Sequence, residues 1–188
     1  MDILNADGKP SLRCIKNISR SHYGSDIPLD HVPSKIRSFM DEEEGYAALD
    51  MDPDFQRGYV WTTKQQREYV EWLLKDGESG RDLYFNHPNW MGSFSKGPFV
   101  LVDGKQRINA IIEFIENRLK VFGGFYWKDF LEDHIPMTQS VRFCINTLKT
   151  REEVLQWYLD MNSCGTHHTD DDLGKVKRLL KEERRRNE

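Results

Sequence analysis

Phe99-Val100-Leu101-Val102-Asp103-Gly104-Lys105-Gln106-Arg107-Ile108 is the stretch on which the fold turns. Four apolar residues bounded by turn signals read as a short buried strand. Asp103-Gly104 lets the chain turn, and Ile108, Ile111, Ile112, Ile115 and Leu119 then recur at helical spacing. A strand running straight into a helix makes a corner whose first-turn N–H groups lack intrahelical acceptors. Asp103 is expected to cap that helix, and Gly104 to let a ligand approach the backbone. Lys105 and Arg107 follow in the first turn, where each cation opposes the helix dipole by about 0.3–1 kcal/mol. A bound anion reverses that sign, because N–H groups and both cations converge on it. The alternative is that Asp103 offsets the cations and both point into water, and spacing alone leaves the two open.

Working outward, helical and extended segments interleave on both sides of this corner. Residues 34–43 predict a short helix and 47–51 an extended stretch. Asp52-Pro53-Asp54-Phe55-Gln56-Arg57-Gly58-Tyr59-Val60-Trp61 has turn residues at both ends and predicts a loop. Arg57 in that loop suits a phosphate clamp, since its planar fork matches phosphate oxygens; pairing with Asp52 or Asp54, or stacking on Trp61, is the plainer use. Thr63 and Gln66 have capping-box spacing ahead of a helix with Tyr69, Val70, Leu73 and Leu74 as its stripe. Residues 81–85 predict a strand, and Val141, Phe143 and Ile145 alternate as in a half-buried one. Thr150 with Glu153, and Thr169 before three aspartates, open two final helices. The strands are few and irregularly spaced, so the expected class is a single α+β domain rather than a doubly wound sheet. Its expected divisions are an arm (1–33), a core (34–168) and a basic C-terminal helix packed on it (169–188).

Composition narrows the function classes. The chain has 188 residues, 38 % hydrophobic and 31 % charged, and no apolar run approaches the ~20 residues of a spanning helix. Its start has neither a basic nor an apolar leader region, and three widely spaced cysteines fit reduced thiols, so a cytoplasmic protein is expected. Net charge is −4, but Lys175–Glu188 holds seven Lys or Arg against three Glu, a run compatible with nucleic acid or with a solvated helix face. Asp160–His168 carries Cys164, His167 and His168 without the spacing of a zinc site or the partners of a thiol nucleophile. Asn162 and Gly165 fit a left-handed turn ending a helix.

DPDFQRGYVW, then VDGKQRINAIIEFI, then a helix ending in LDMNSCGT resemble, in this order, the GmrSD-type N-terminal domain family. The resemblance implies a ParB/sulfiredoxin-like fold, a small mixed sheet with flanking helices, whose DGxQR box is a phosphate-binding corner. It implies nucleotide hydrolysis coupled to restriction of modified DNA in a phage or bacterial setting. Carried onto this chain, Asp103, Gln106, Arg107 and Gln56 would be catalytic. Arg57, Gly104, Lys105, Arg107 and Asn162 would bind the nucleotide, and Asp103 would hold Mg²⁺. Lys105 departs from the family's usual glutamine, and nothing in this sequence resembles the HNH-type nuclease centre of the full restriction enzymes. The expected ligands are therefore Mg²⁺ and a nucleoside triphosphate, with DNA as a partner. The alternatives are a phosphotransferase acting on a small molecule or a DNA hydroxyl, or a non-catalytic nucleotide- or DNA-binding module.

Overall fold

Five strands share one mixed sheet, in the order β1-β5-β3-β4-β2. The structure is a computed structural model that describes residues 9–10, 23–41, 48–90, 97–130, 135–163 and 170–187. The strands are β1 (Tyr23–Pro28), β2 (Leu49–Asp50), β3 (Asp82–Asn86), β4 (Phe99–Asp103) and β5 (Ser140–Asn146). β1 runs antiparallel to β5, and β3 antiparallel to β4; β3 with β5 and β2 with β4 are parallel. Among the described residues five α-helices flank the sheet: α1 (Val32–Met40), α2 (Thr63–Leu74), α3 (Lys105–Ile115), α4 (Arg151–Ser163) and α5 (Asp170–Asn187). The chain is a compact α+β domain.

Side-chain alternation along the strands builds two cores, one on each face of the sheet. Leu83 and Phe85 of β3, Phe99 and Leu101 of β4, and Val141, Phe143 and Ile145 of β5 lie with Ile36, Leu73, Ile108 and Ile111. On the opposite face Tyr84, Val100 and Val102 join Leu155, Tyr158, Val176 and Leu180 from α4 and α5. β5 is therefore not half-buried, as its alternation predicts. Of its seven residues only Arg142 is exposed, because both faces are covered.

Local boundaries differ from the sequence expectations in three places. Tyr23–Pro28 falls in the segment expected to be an arm, yet it pairs with β5 from Tyr23 opposite Ile145 to Pro28 opposite Ser140. The box opening α2 forms one residue early. The Thr62 hydroxyl accepts from the Gln65 N–H (3.3 Å), and the Gln65 side chain accepts from the Thr62 N–H (2.9 Å). Thr62–Gln65 and Thr63–Gln66 have the same spacing, and the extended backbone at Thr62 (ψ 158°) selects the former. Asn162 lies inside α4, donating to the Tyr158 carbonyl (2.7 Å), rather than in a terminating turn. Thr150 and Glu153 do form the second box, and the Thr150 and Lys149 N–H groups donating to the Glu153 carboxyl hold it below its ordinary pKa. Thr169, Cys164, Gly165, His167 and His168 lie outside the described residues.

His87 closes the end of β3, buried between the rings of Trp90 and Phe99. Burial pushes its pKa below the ordinary value, and Lys149 pushes the same way. The unfolded chain therefore takes up the proton more readily than the folded one. The stability that His87 contributes is complete above about pH 6.5 and declines as pH falls toward its folded pKa. Urea midpoints measured at pH 7.5 and 5.5 should drop for the wild type and drop less for His87→Gln. An equal drop in both would assign the acid sensitivity to other groups.

Candidate functional site

The corner between β4 and α3 is built on a glycine that nothing can replace without strain. Gly104 is the N-cap of α3 with φ 115° and ψ 5°, in the left-handed region. A Cβ there would lie 2.6 Å from Leu83 Cδ2. With Gly104 at the cap position, Asp103 falls one residue too early to cap and stays in β4, opposite Tyr84. Its carboxylate turns instead to Arg107, one helical turn on. This corrects the expected cap. No side chain caps α3, and its first-turn N–H groups lack intrahelical acceptors.

A cleft of about 850 Å³ opens at this corner. Gln56, Arg57, Asp103 and Gly104 line it, as do Lys105, Gln106, Arg107 and Asn162. All eight residues singled out in the sequence thus share one cavity, although the Arg57 loop and the α3 corner are some fifty positions apart. Tyr69 and Trp72 of α2 form another wall, and Tyr158 and Met161 of α4 contribute as well.

Three of the eight hold the Arg57 loop against the corner. The Gln106 carbonyl oxygen accepts from the Val60 and Trp61 N–H groups (3.0 and 3.1 Å), while its amide donates to the Gly58 carbonyl (2.8 Å). Gln56 donates to the Leu101 carbonyl (2.6 Å). Lys105 is 4 % exposed, and its ammonium donates to Asp52 and to the Arg57 carbonyl (3.2 Å), 4.7 Å from the centre of the Tyr59 ring. The sequence resemblance makes Gln106 and Gln56 catalytic and Lys105 a nucleotide-binding residue. As folded, Gln106 and Lys105 are bonded to the loop, because a loop without regular structure needs side chains to satisfy its backbone, and Gln56 ties the loop in turn to β4. Asp54 pairs with Arg151 (2.6 Å), so both acids expected beside Arg57 serve other cations.

Two guanidinium groups, those of Arg57 and Arg107, line the cleft wall. Arg107 donates to the Asp82 carbonyl (2.6 Å) and to Asp103, and these bonds fix its fork. Arg57 is half-buried in the 52–61 loop. Tyr69 donates to the Gly80 carbonyl (2.9 Å), and burial pushes its hydroxyl pKa well up, so it stays protonated. Among the described residues no three His, Cys, Asp or Glu side chains gather as a metal site. No helix there is long and apolar enough to cross a membrane.

Tyr69 and Trp72 are among the cleft residues that sequence reasoning missed. Tyr69 is legible only as part of an apolar stripe. Trp72 carried a signal, being a large aromatic one position before that stripe's Leu73 and not needed for it.

No curated protein and no solved structure matches the chain significantly. Residues 36–138 match the family described as GmrSD restriction endonuclease, N-terminal domain. That span includes the Arg57 loop, α2 and the whole β4–α3 corner, and so every one of the eight residues except Asn162. With more than half of its length inside the match, the chain belongs to the GmrSD restriction endonuclease N-terminal domain family.

Proposed function

We propose that the cleft binds a nucleoside triphosphate and hydrolyses it, in the service of a restriction system that acts on DNA. The observation that supports this most is the uncapped N-terminus of α3 opening into a cleft shared by Arg57 and Arg107. Backbone N–H groups, the positive end of a helix and two planar cations form a receptor for a polyphosphate. Phosphoryl transfer asks little covalent chemistry of a protein, mainly charge stabilisation and positioning.

In this reading Arg107, fixed by Asp103 and the Asp82 carbonyl, presents a rigid fork to phosphate oxygens. Arg57 supplies the second charge from the loop. Lys105, Gln106 and Gln56 act as positioning residues, holding Arg57 where it can face Arg107. The donor set fits Mg²⁺ only as an ion shared with substrate: Asp103 offers one carboxylate, and phosphate oxygens and water complete the shell, the usual arrangement for this cation. Bound there, Mg²⁺ would neutralise charge on the phosphates.

The test is incubation of the protein with each of the four common nucleoside triphosphates and Mg²⁺, with and without DNA, separating free phosphate from phosphate carried on an acceptor. Free phosphate is the expected product. Arg57→Ala should weaken nucleotide affinity about tenfold or more, the loss of one charge-assisted contact, without unfolding the domain. Label on DNA or a small molecule would make the protein a phosphotransferase. Binding without turnover would make it a nucleotide-responsive module.

A further inference from the structure

A polyphosphate does not use the whole cleft. Its α2 wall is aromatic, and that wall is built to stay still. Trp72 is 47 % exposed, yet its indole N–H donates to the Ser79 carbonyl (3.1 Å). Gly77 lies against the ring so closely that a Cβ there would be 2.1 Å from Trp72 Cε2. The turn carrying Gly77 and Ser79 is itself tied down. Arg81 donates to the Gly77 carbonyl and to Asp76, both at 2.6 Å, and Asp76 has φ 62°. Next along the wall Tyr69 is held by the Gly80 carbonyl, and Trp61 meets its ring edge-on at 5.3 Å.

An exposed indole is ordinarily free to choose rotamers. Here hydrogen bonding and contact fix one, leaving a flat apolar surface on the same cleft as the two arginines. Such a surface has lost its conformational freedom before anything binds, which is the condition for tight stacking. Aromatic side chains stack on nucleobases because every base has a π-face, whatever its hydrogen-bonding edge.

We infer that Trp72 is the platform on which the base of the nucleotide stacks, while Arg57, Arg107 and the α3 N-terminus take its phosphates. This rests on the phosphate-binding role proposed above. It makes the cleft selective for nucleotides over bare polyphosphate, and tolerant of which base is present.

Calorimetric titration with ATP and with inorganic tripolyphosphate separates the two ideas. The wild type should bind ATP more tightly than tripolyphosphate. Trp72→Ala should weaken ATP about tenfold or more and leave tripolyphosphate unchanged, the latter also showing that the variant is folded. Trp72→Phe, which keeps a ring, should recover much of the ATP affinity. Tripolyphosphate binding with ATP affinity indifferent to Trp72→Ala would overturn the stacking role alone. Equal losses for both ligands in Trp72→Ala would overturn it too, since a base contact cannot act on a ligand without a base. Failure of the wild type to bind either ligand would overturn the phosphate site and the platform together.

Discussion

Gly104→Ala should lower the free energy of unfolding by about 3 kcal/mol, a large fraction of the 5–15 kcal/mol typical of a domain. Two costs combine at this position. An alanine at φ 115° sits outside the favoured backbone regions, at ~1–3 kcal/mol. Its methyl carbon also meets Leu83 Cδ2 at 2.6 Å in a core without slack, and overpacking there adds a comparable amount. Gly123 is the internal control. It too has positive φ (82°), but an added Cβ has nothing within 4 Å. Gly123→Ala should therefore lose only the backbone component. Urea denaturation of both variants checks this, and equal losses would show that Leu83 yields at no cost.

The second large effect is expected on binding. Arg107→Ala should weaken ATP at least about a hundredfold, the loss of two charge-assisted hydrogen bonds at ~1.5–3 kcal/mol each. It also releases Asp103 and the Asp82 carbonyl. Asp103 is about one-third exposed, so its unpaired carboxylate hydrates and the stability loss stays modest. Arg107→Lys restores the charge but not the planar fork, and should recover stability better than affinity. Calorimetric titration alongside thermal melts reads both quantities. A folded Arg107→Ala protein with wild-type ATP affinity would remove Arg107 from the site.

The sequence made the corner legible because its signals are local. Apolar strand, glycine and isoleucine stripe follow one another without interruption from Phe99 to Ile115, and the structure keeps them in place. Composition and interleaving likewise point to the α+β class. What the sequence did not disclose are the tertiary destinations of long polar side chains. Gln106 and Lys105 look like ligand-facing groups at a helix N-terminus, but the helix also turns them toward residues 52–61, whose unpaired backbone and Asp52 claim them first. Asp103 reads as a cap until the strand is seen to extend one residue further. β1 was hidden for a different cause. Tyr23–Pro28 carries no strong alternation, and its strand identity comes from β5, more than a hundred residues away.

That last pairing has a consequence for how the chain is made. β5 is inserted between β1 and β3, so neither can complete its hydrogen bonds until Ser140–Asn146 has been synthesised. The family match ends at residue 138, just before this strand. A fragment cut at the matched boundaries keeps the Arg57 loop, the glycine corner and the tryptophan wall. It lacks the strand that covers β3, whose edge would then be open along Leu83 and Phe85, a template for pairing with another chain. On the ribosome the same open edge persists through the whole stretch from Asn86 to Ser140, which makes β5 the step that closes this edge to pairing with other chains.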